Sequence, residues 1–250
     1  MTFPSSVLIT GAGRGIGLGL VKEFLKNDQV KHVFAAVRCP TKADELTKLN
    51  DDRLHVIKMD VLYDESILEA FQKVEEICGE HGLNLLVNNA GIWVEYELSD
   101  GPKRDMLRKI LDTNAASPLI VSQVFLPLLR RAASKSPETE WGIQKASIVN
   151  ISSGMGSISE NMTGSGCSKS IAYRMSKEIN QMTRTLAIDL EPDGIMVVSW
   201  CPGWVKTDMG GLEAEITVDE SAIDFMQTLS HFGKENTGGY VRRHGDSIDY

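Results

Sequence analysis

Short apolar runs and longer amphipathic stretches alternate along the 250 residues of this chain. Val7-Leu8-Ile9 is the first run; after a glycine cluster, Leu18, Val21, Phe24 and Leu25 recur at helical spacing. Residues 30–37 and 54–59 are further strand-like runs, and 64–78 is an amphipathic helix burying Ile67, Phe71, Val74 and Ile77. The continuous apolar run 83–87 suits a parallel strand covered on both faces. Residues 103–133 read as one long helix. A kink is expected at Pro118, which has no N–H to give the carbonyl four residues back, that of Asn114. Residues 146–151 and 195–200 are strands, and 238–241 is a final edge strand. The helix that carries Tyr173 continues through Met182, Leu186 and Leu190, and another covers 218–229. Strands alternating with helices predict an α/β chain: a single Rossmann-type domain over 1–250, a doubly wound parallel sheet of about seven strands with helices on both faces. The polar stretch 134–145 is a loop, and 154–169, rich in Gly and Ser, is a mobile loop on the substrate side of the site.

Composition narrows the function classes. With 26 basic against 34 acidic residues the net charge is −8, which gives a nucleic-acid partner little electrostatic support. Four scattered cysteines and five scattered histidines show neither a disulfide framework nor metal-ligand spacing, so no metal is expected. No apolar stretch is long enough to cross a bilayer and no secretory leader is evident, so a cytoplasmic enzyme without a membrane partner is the expectation.

Chemistry concentrates at the strand ends. Strand, glycine turn and helix follow one another at Thr10-Gly11-Ala12-Gly13-Arg14-Gly15-Ile16-Gly17, the context in which backbone N–H groups and a helix dipole cradle a pyrophosphate. The next strand ends in Ala36-Val37-Arg38 with no carboxylate, where an NAD site would place one against the ribose hydroxyls. Arg38, with Arg14 in the turn, suits a 2′-phosphate instead, which favours NADP(H). Asp60 and Asn88 end the following strands, so the candidate contacts converge on the carboxyl edge of the sheet. Tyr173 and Lys177 lie four residues apart on one helix face. An ammonium beside a phenol would lower a pKa that is ordinarily about 10, making a general acid–base group.

Six elements together resemble the short-chain dehydrogenase/reductase family over nearly the whole chain: Thr10-Gly11-x-x-x-Gly15-x-Gly17, Asn88-Asn89-Ala90-Gly91, Asn114, Ser153, Tyr173-x-x-x-Lys177 and Pro202-Gly203. Residues 151–158, 172–177 and 202–209 further resemble the carbonyl reductases related to the fly protein sniffer and the bacterial C-factor. The resemblance implies reduction of a ketone, quinone or aldehyde by NADPH. Tyr173 would protonate the developing alkoxide, Ser153 (rather than Ser152) would hold the carbonyl oxygen, and Lys177 would bind the nicotinamide ribose and lower the Tyr173 pKa. Asn114 would hold a relay water through its carbonyl. It also implies cofactor contacts from Thr10, Gly11, Arg14, Gly15, Ile16, Gly17, Arg38, Asp60, Val61, Asn88, Ala90, Gly91, Tyr173, Lys177, Pro202, Gly203, Val205 and Thr207. Trp93, Met155, Trp204 and Met209 would line an apolar substrate pocket with Ser153. The 103–133 helix and the Tyr173 helix would form the surface of a homodimer or homotetramer. One departure stands out: more residues separate Ser153 from Tyr173 than in many members, so the loop between them must bulge outward.

Two other classes compete. A regulator could bind NADP(H) through this fold with little turnover, although it would have no use for Ser153, Tyr173 and Lys177 together. A hydrolase could use Ser153 as nucleophile, but the chain has no Gly-x-Ser-x-Gly elbow.

Overall fold

A computed structural model describes residues 2–137 and 139–250. Its centre is one parallel seven-stranded sheet in the order β3-β2-β1-β4-β5-β6-β7. The strands are β1 (Ser6–Thr10), β2 (His32–Val37), β3 (Leu54–Lys58), β4 (Leu85–Asn88), β5 (Ser147–Ile151), β6 (Met196–Trp200) and β7 (Tyr240–Val241). In chain order the helices are α1 (Gly15–Leu25), α2 (Asp44–Thr47), α3 (Asp64–Cys78), α4 (Arg104–Leu111), α5 (Ser117–Ala133), α6 (Ile171–Lys177), α7 (Asn180–Asp189) and α8 (Val218–Leu229).

Strand side chains alternate between faces, and the two cores follow from that. Val7 and Ile9 point into the layer that holds Leu20 and Phe24 of α1 and Phe225 and Leu229 of α8. Leu8, between them, points into the other, with Ile67 and Val74 of α3 and Phe125 and Leu128 of α5. Every residue of β1, β4, β5 and β6 is buried, which is why these strands read as continuous apolar runs rather than alternating ones. Helix α8 starts where a capping box dictates: Glu220 N–H donates to Thr217 Oγ1 at 3.2 Å, while Thr217 N–H donates to the Glu220 carboxylate at 2.7 Å.

Two helices differ from the sequence expectation. The 103–133 stretch is not one kinked α-helix: α4 passes through a π turn over Asp112–Ala116 before α5 begins, with Pro118 in its first turn. A proline there needs no N–H partner of its own, so the wide turn absorbs what would have been a kink. The helix that carries Tyr173 is also interrupted. α6 ends at Lys177, Glu178 and Ile179 leave helical geometry, and α7 restarts at Asn180. The cause is tertiary: Ser152 Oγ donates to the Lys177 carbonyl at 3.1 Å. Gly156 packs so closely on that carbonyl that a Cβ would sit 2.3 Å from its oxygen. The carbonyl that would continue the helix is thereby engaged by the strand-β5 loop. No described helix is long and apolar enough to cross a membrane.

Candidate active site

The carboxyl ends of β1, β2, β4, β5 and β6 open onto one edge of the sheet, and the predicted site residues gather there. Helix α1 begins at Gly15 with no side-chain cap and no acidic residue in its first turn, so its N-terminal N–H groups and positive dipole end face outward unneutralised. Gly17 allows the turn to close: a Cβ there would lie 2.6 Å from both the Gly11 carbonyl oxygen and Asn89 Nδ2. Thr10 turns inward. Its Oγ1 accepts from the Asn89 and Ala90 N–H groups, both at 2.9 Å, and so fixes the loop after β4 against the glycine turn. Asn89 Nδ2 returns hydrogen bonds to the Thr10 carbonyl at 2.8 Å and the Gly11 carbonyl at 3.3 Å. Ile16 packs against the core below.

Arg38 is exposed just past the end of β2. Arg14 is exposed too, and its guanidinium pairs with Asp208, linking the glycine turn to the segment after β6. In that segment Val205 is buried, Thr207 Oγ1 accepts from Gly210 N–H at 3.0 Å, and Pro202 accepts from Ser221 of α8 at 3.2 Å. Gly203 turns the chain there and leaves Trp204 half exposed. Asp60 is tied locally: its Oδ1 accepts from Leu62 N–H at 3.1 Å, and the Val61 carbonyl accepts from Ser117 Oγ at 2.7 Å.

Asn88 lies beneath the site rather than in its mouth. Its Nδ2 donates to Asn150 Oδ1 at 2.9 Å; Asn150 Nδ2 donates to Thr183 Oγ1 at 2.9 Å; and Thr183 and Ser199 hydroxyls meet at 2.7 Å. This buried polar chain ties β4, β5, α7 and β6 together under the strand ends. Asn114, in the π turn, works similarly through its side chain. It exchanges hydrogen bonds with the Ile92 backbone at 2.8 and 2.9 Å and donates to Ser176 Oγ at 2.9 Å. Gly91 backs onto both Asn114 Oδ1 and Lys177 Nζ.

Of the two adjacent serines, Ser152 is buried and directed at the Lys177 carbonyl, whereas Ser153 is half-buried at the start of a short 3-10 turn. Ser153 Oγ accepts from Met155 N–H at 3.2 Å, which leaves its own proton to be given elsewhere. The loop up to Lys169 carries two short 3-10 turns, and most of 158–166 is exposed. It is tied down at Ser157, whose hydroxyl donates to the Asp249 carbonyl, at Ser159, whose N–H donates to the Tyr250 carbonyl at 3.0 Å, and by the Glu160–Arg242 ion pair. Trp93 packs on Tyr173 with ring centroids 4.5 Å apart, and Met155 borders the same cluster. Trp204 and Met209 stand about half exposed in the segment after β6.

Tyr173 and Lys177 do share a helix face, but their electrostatics run opposite to the expectation. Burial pushes the Tyr173 phenol well above its usual value, the Cys201 thiol adds to that, and only the Ser153 hydroxyl works against it. Lys177 Nζ donates to the Ile151 carbonyl at 2.8 Å and lies over the Tyr173 ring, 5.7 Å from its centroid. Burial lowers this ammonium to about 8. Helical spacing fixed the side on which both groups lie; depth, which spacing does not carry, decided their titration. Two neighbours had no motif to announce them. Cys201, at the end of β6, accepts from Gly154 N–H at 3.1 Å, and Tyr240, from β7, donates its hydroxyl proton to the Ser153 carbonyl.

Comparison with known proteins gives this geometry a family. The short chain dehydrogenase model matches residues 5–215. The carbonyl reductase Sniffer of D. melanogaster is 37% identical and superposes with a TM-score of 0.94 over 99% of this chain and 100% of that one. An NADPH-bound carbonyl reductase from chicken fatty liver is 36% identical, with a TM-score of 0.96 over 100% of this chain and 96% of that one. C-signal of Myxococcus xanthus is 31% identical over 67% of this chain and 93% of its own length. On the breadth of these matches, the chain belongs to the short-chain dehydrogenase family.

Proposed function

We propose that this protein is an NADPH-dependent carbonyl reductase that converts a ketone, quinone or aldehyde to the alcohol. The observation that carries the reading is the buried, protonated Tyr173 set beside Ser153, whose oxygen is already engaged by Met155 N–H. A carbonyl that gains hydride at carbon needs a proton and a hydrogen-bond donor at oxygen, and these two side chains hold one proton each. NADPH, when bound, supplies the hydride. Its fit to this chain rests on three features: the uncapped, uncharged start of α1, the absence of a side chain at Gly17, and a strand β2 that ends in Arg38 rather than a carboxylate.

Ser153 would donate to the carbonyl oxygen as negative charge grows there. Tyr173 would release its proton to the same oxygen, with the Lys177 ammonium 5.7 Å from the centre of its ring. Trp93 and Met155 offer apolar surface against Tyr173, and Trp204 and Met209, half exposed in the segment after β6, would add to it, which suits an aromatic or otherwise apolar substrate over an acidic one. Residues 154–169 would cover that substrate side. Assembly as a homodimer or homotetramer through α4–α5 and α6 accords with half-exposed Leu119 and Met175 on those helices; a larger particle than the 27.5 kDa chain by light scattering is the expected result.

The test is NADPH oxidation with an aromatic diketone, a quinone and an aldehyde, alongside NADH and a Tyr173→Phe variant. Wild type is expected to turn over with NADPH and poorly with NADH, and the variant to lose at least about 100-fold in kcat. Tight NADPH binding with no carbonyl reduced by wild type would overturn the reductase reading in favour of a cofactor-sensing protein.

A further inference from the structure

We infer that Tyr240 and Cys201 are positioning residues that set the Ser153 hydroxyl by gripping both ends of the Ser153–Gly154 peptide. The inference rests on the reductase reading above for the role of Ser153, and its geometry stands apart from that reading.

The peptide in question has one acceptor, the Ser153 carbonyl, and one donor, the Gly154 N–H. Tyr240 donates its hydroxyl proton to the carbonyl, which also accepts from Gly156 N–H at 2.8 Å. Cys201 Sγ accepts from the Gly154 N–H at 3.1 Å. Both polar ends of one peptide unit are therefore satisfied by side chains from elsewhere in the chain, Tyr240 of β7 and Cys201 just past β6, and rotation of the unit would break both bonds together. The next N–H along, that of Met155, holds Ser153 Oγ itself. A shift of this peptide thus carries directly into where the Ser153 proton points.

The two gripping side chains are themselves fixed. β6 and β7 pair in parallel, with Ser199 opposite Tyr240 and Trp200 opposite Val241. Cys201 N–H donates to the Val241 carbonyl at 2.8 Å, and Ile248 N–H to the Tyr240 carbonyl at 2.8 Å. Cys201, Tyr240 and Ile248 then close a small buried apolar cluster of their own. Burial holds the Tyr240 phenol protonated well above its usual range, so it remains a donor at any pH at which the enzyme works. A phenylalanine at 240 would keep the cluster and lose only the donated proton; an alanine at 201 would keep the strand and lose only the sulfur acceptor.

The experiment compares Tyr240→Phe, Cys201→Ala, Ser153→Ala and the double variant Tyr240→Phe/Ser153→Ala. Readouts are kcat and KM for the best carbonyl, NADPH affinity, and exchange of the Gly154 amide followed by NMR. Tyr240→Phe and Cys201→Ala are expected to lower kcat about fivefold to tenfold, the worth of one neutral hydrogen bond, with NADPH affinity unchanged within about twofold. In the Ser153→Ala background Tyr240→Phe is expected to add nothing, because its effect passes through the missing hydroxyl. Gly154 exchange is expected to be about tenfold faster in both single variants. An undiminished kcat, a full additional loss in the Ser153→Ala background, or a fall in NADPH affinity matching the fall in kcat would each overturn the inference. If wild type reduces no carbonyl, the reductase reading fails separately, and unaltered Gly154 exchange in both variants would by itself overturn the grip.

Discussion

Lys177 gives a stability effect that can be worked out in advance. Its ammonium is nearly inaccessible, and burial brings it from 10.5 to about 8. In the unfolded chain it titrates at its ordinary value of about 10.4. Between about pH 8 and 10.5 the unfolded chain therefore holds more of this proton than the folded one, and stability rises with pH across that window. Below about pH 8 both states are charged and the penalty is complete, about 3 kcal/mol at about 1.4 kcal/mol per tenfold. From pH 7 to 9.5 about 2 kcal/mol of the Lys177 penalty should be recovered. Lys177→Met removes the titrating group. It also removes the bond to the Ile151 carbonyl, but that loss is the same at every pH and cancels in the comparison. Urea unfolding of both proteins at pH 7, 8 and 9.5 and constant ionic strength measures the difference; staying below pH 10 keeps tyrosine ionisation out of the window. The stability gap between variant and wild type should shift by about 2 kcal/mol in favour of wild type as pH rises. A gap constant to within about 0.5 kcal/mol across the series, against the shift of about 2 kcal/mol expected, would refute the buried-ammonium argument.

Other consequences can be checked more simply. His32 and His55 meet ring to ring at 3.1 Å, and burial lowers both below their usual range. Each takes up its proton less readily folded than unfolded, so stability should fall as pH drops below about 6.5, and His55→Asn should flatten that fall in a thermal-shift series from pH 7 to 5. Gly17→Ala forces a Cβ into the Gly11 carbonyl and Asn89; a destabilisation of about 1–3 kcal/mol with loss of NADPH binding is expected by denaturation and fluorescence titration. Arg38→Ala should weaken NADPH by about tenfold or more while leaving NADH unchanged, since only the 2′-phosphate distinguishes them. Asp208→Asn frees an exposed arginine, Arg14, from an exposed pair; stability should change by less than about 0.5 kcal/mol, with any effect confined to cofactor affinity.

Much of the fold was legible because its strands are buried on both faces and its helices on one. The ranges 64–78 and 218–229 coincide with α3 and α8, where amphipathic spacing and, for α8, a capping box act locally. The break between α6 and α7 was not legible: Met182, Leu186 and Leu190 keep the helical period, while the interruption comes from Ser152 and Gly156, over twenty positions upstream. At the site, the glycine turn, Ser153 and the Tyr173–Lys177 pair stand out as short motifs. The inward turns of Thr10 and Asn88 do not, because spacing says nothing about which way a strand-end side chain faces. Tyr240 reaches Ser153 across 87 positions of sequence, and no local pattern marks it.

The strand order carries a consequence for synthesis. β1 lies in the interior of the sheet, yet its partner on one side is β4, with Val7 opposite Leu85. At ribosomal speeds that separation of 78 positions takes roughly 4–16 s to appear, during which one hydrogen-bonding edge of a strand with an apolar centre, Val7-Leu8-Ile9, waits in the open. β7 is the last strand in the order of synthesis, and its Tyr240 closes on Ser153. The bond that reaches Ser153 from Tyr240 can therefore form only after the last strand has been made, when almost the whole chain is already present.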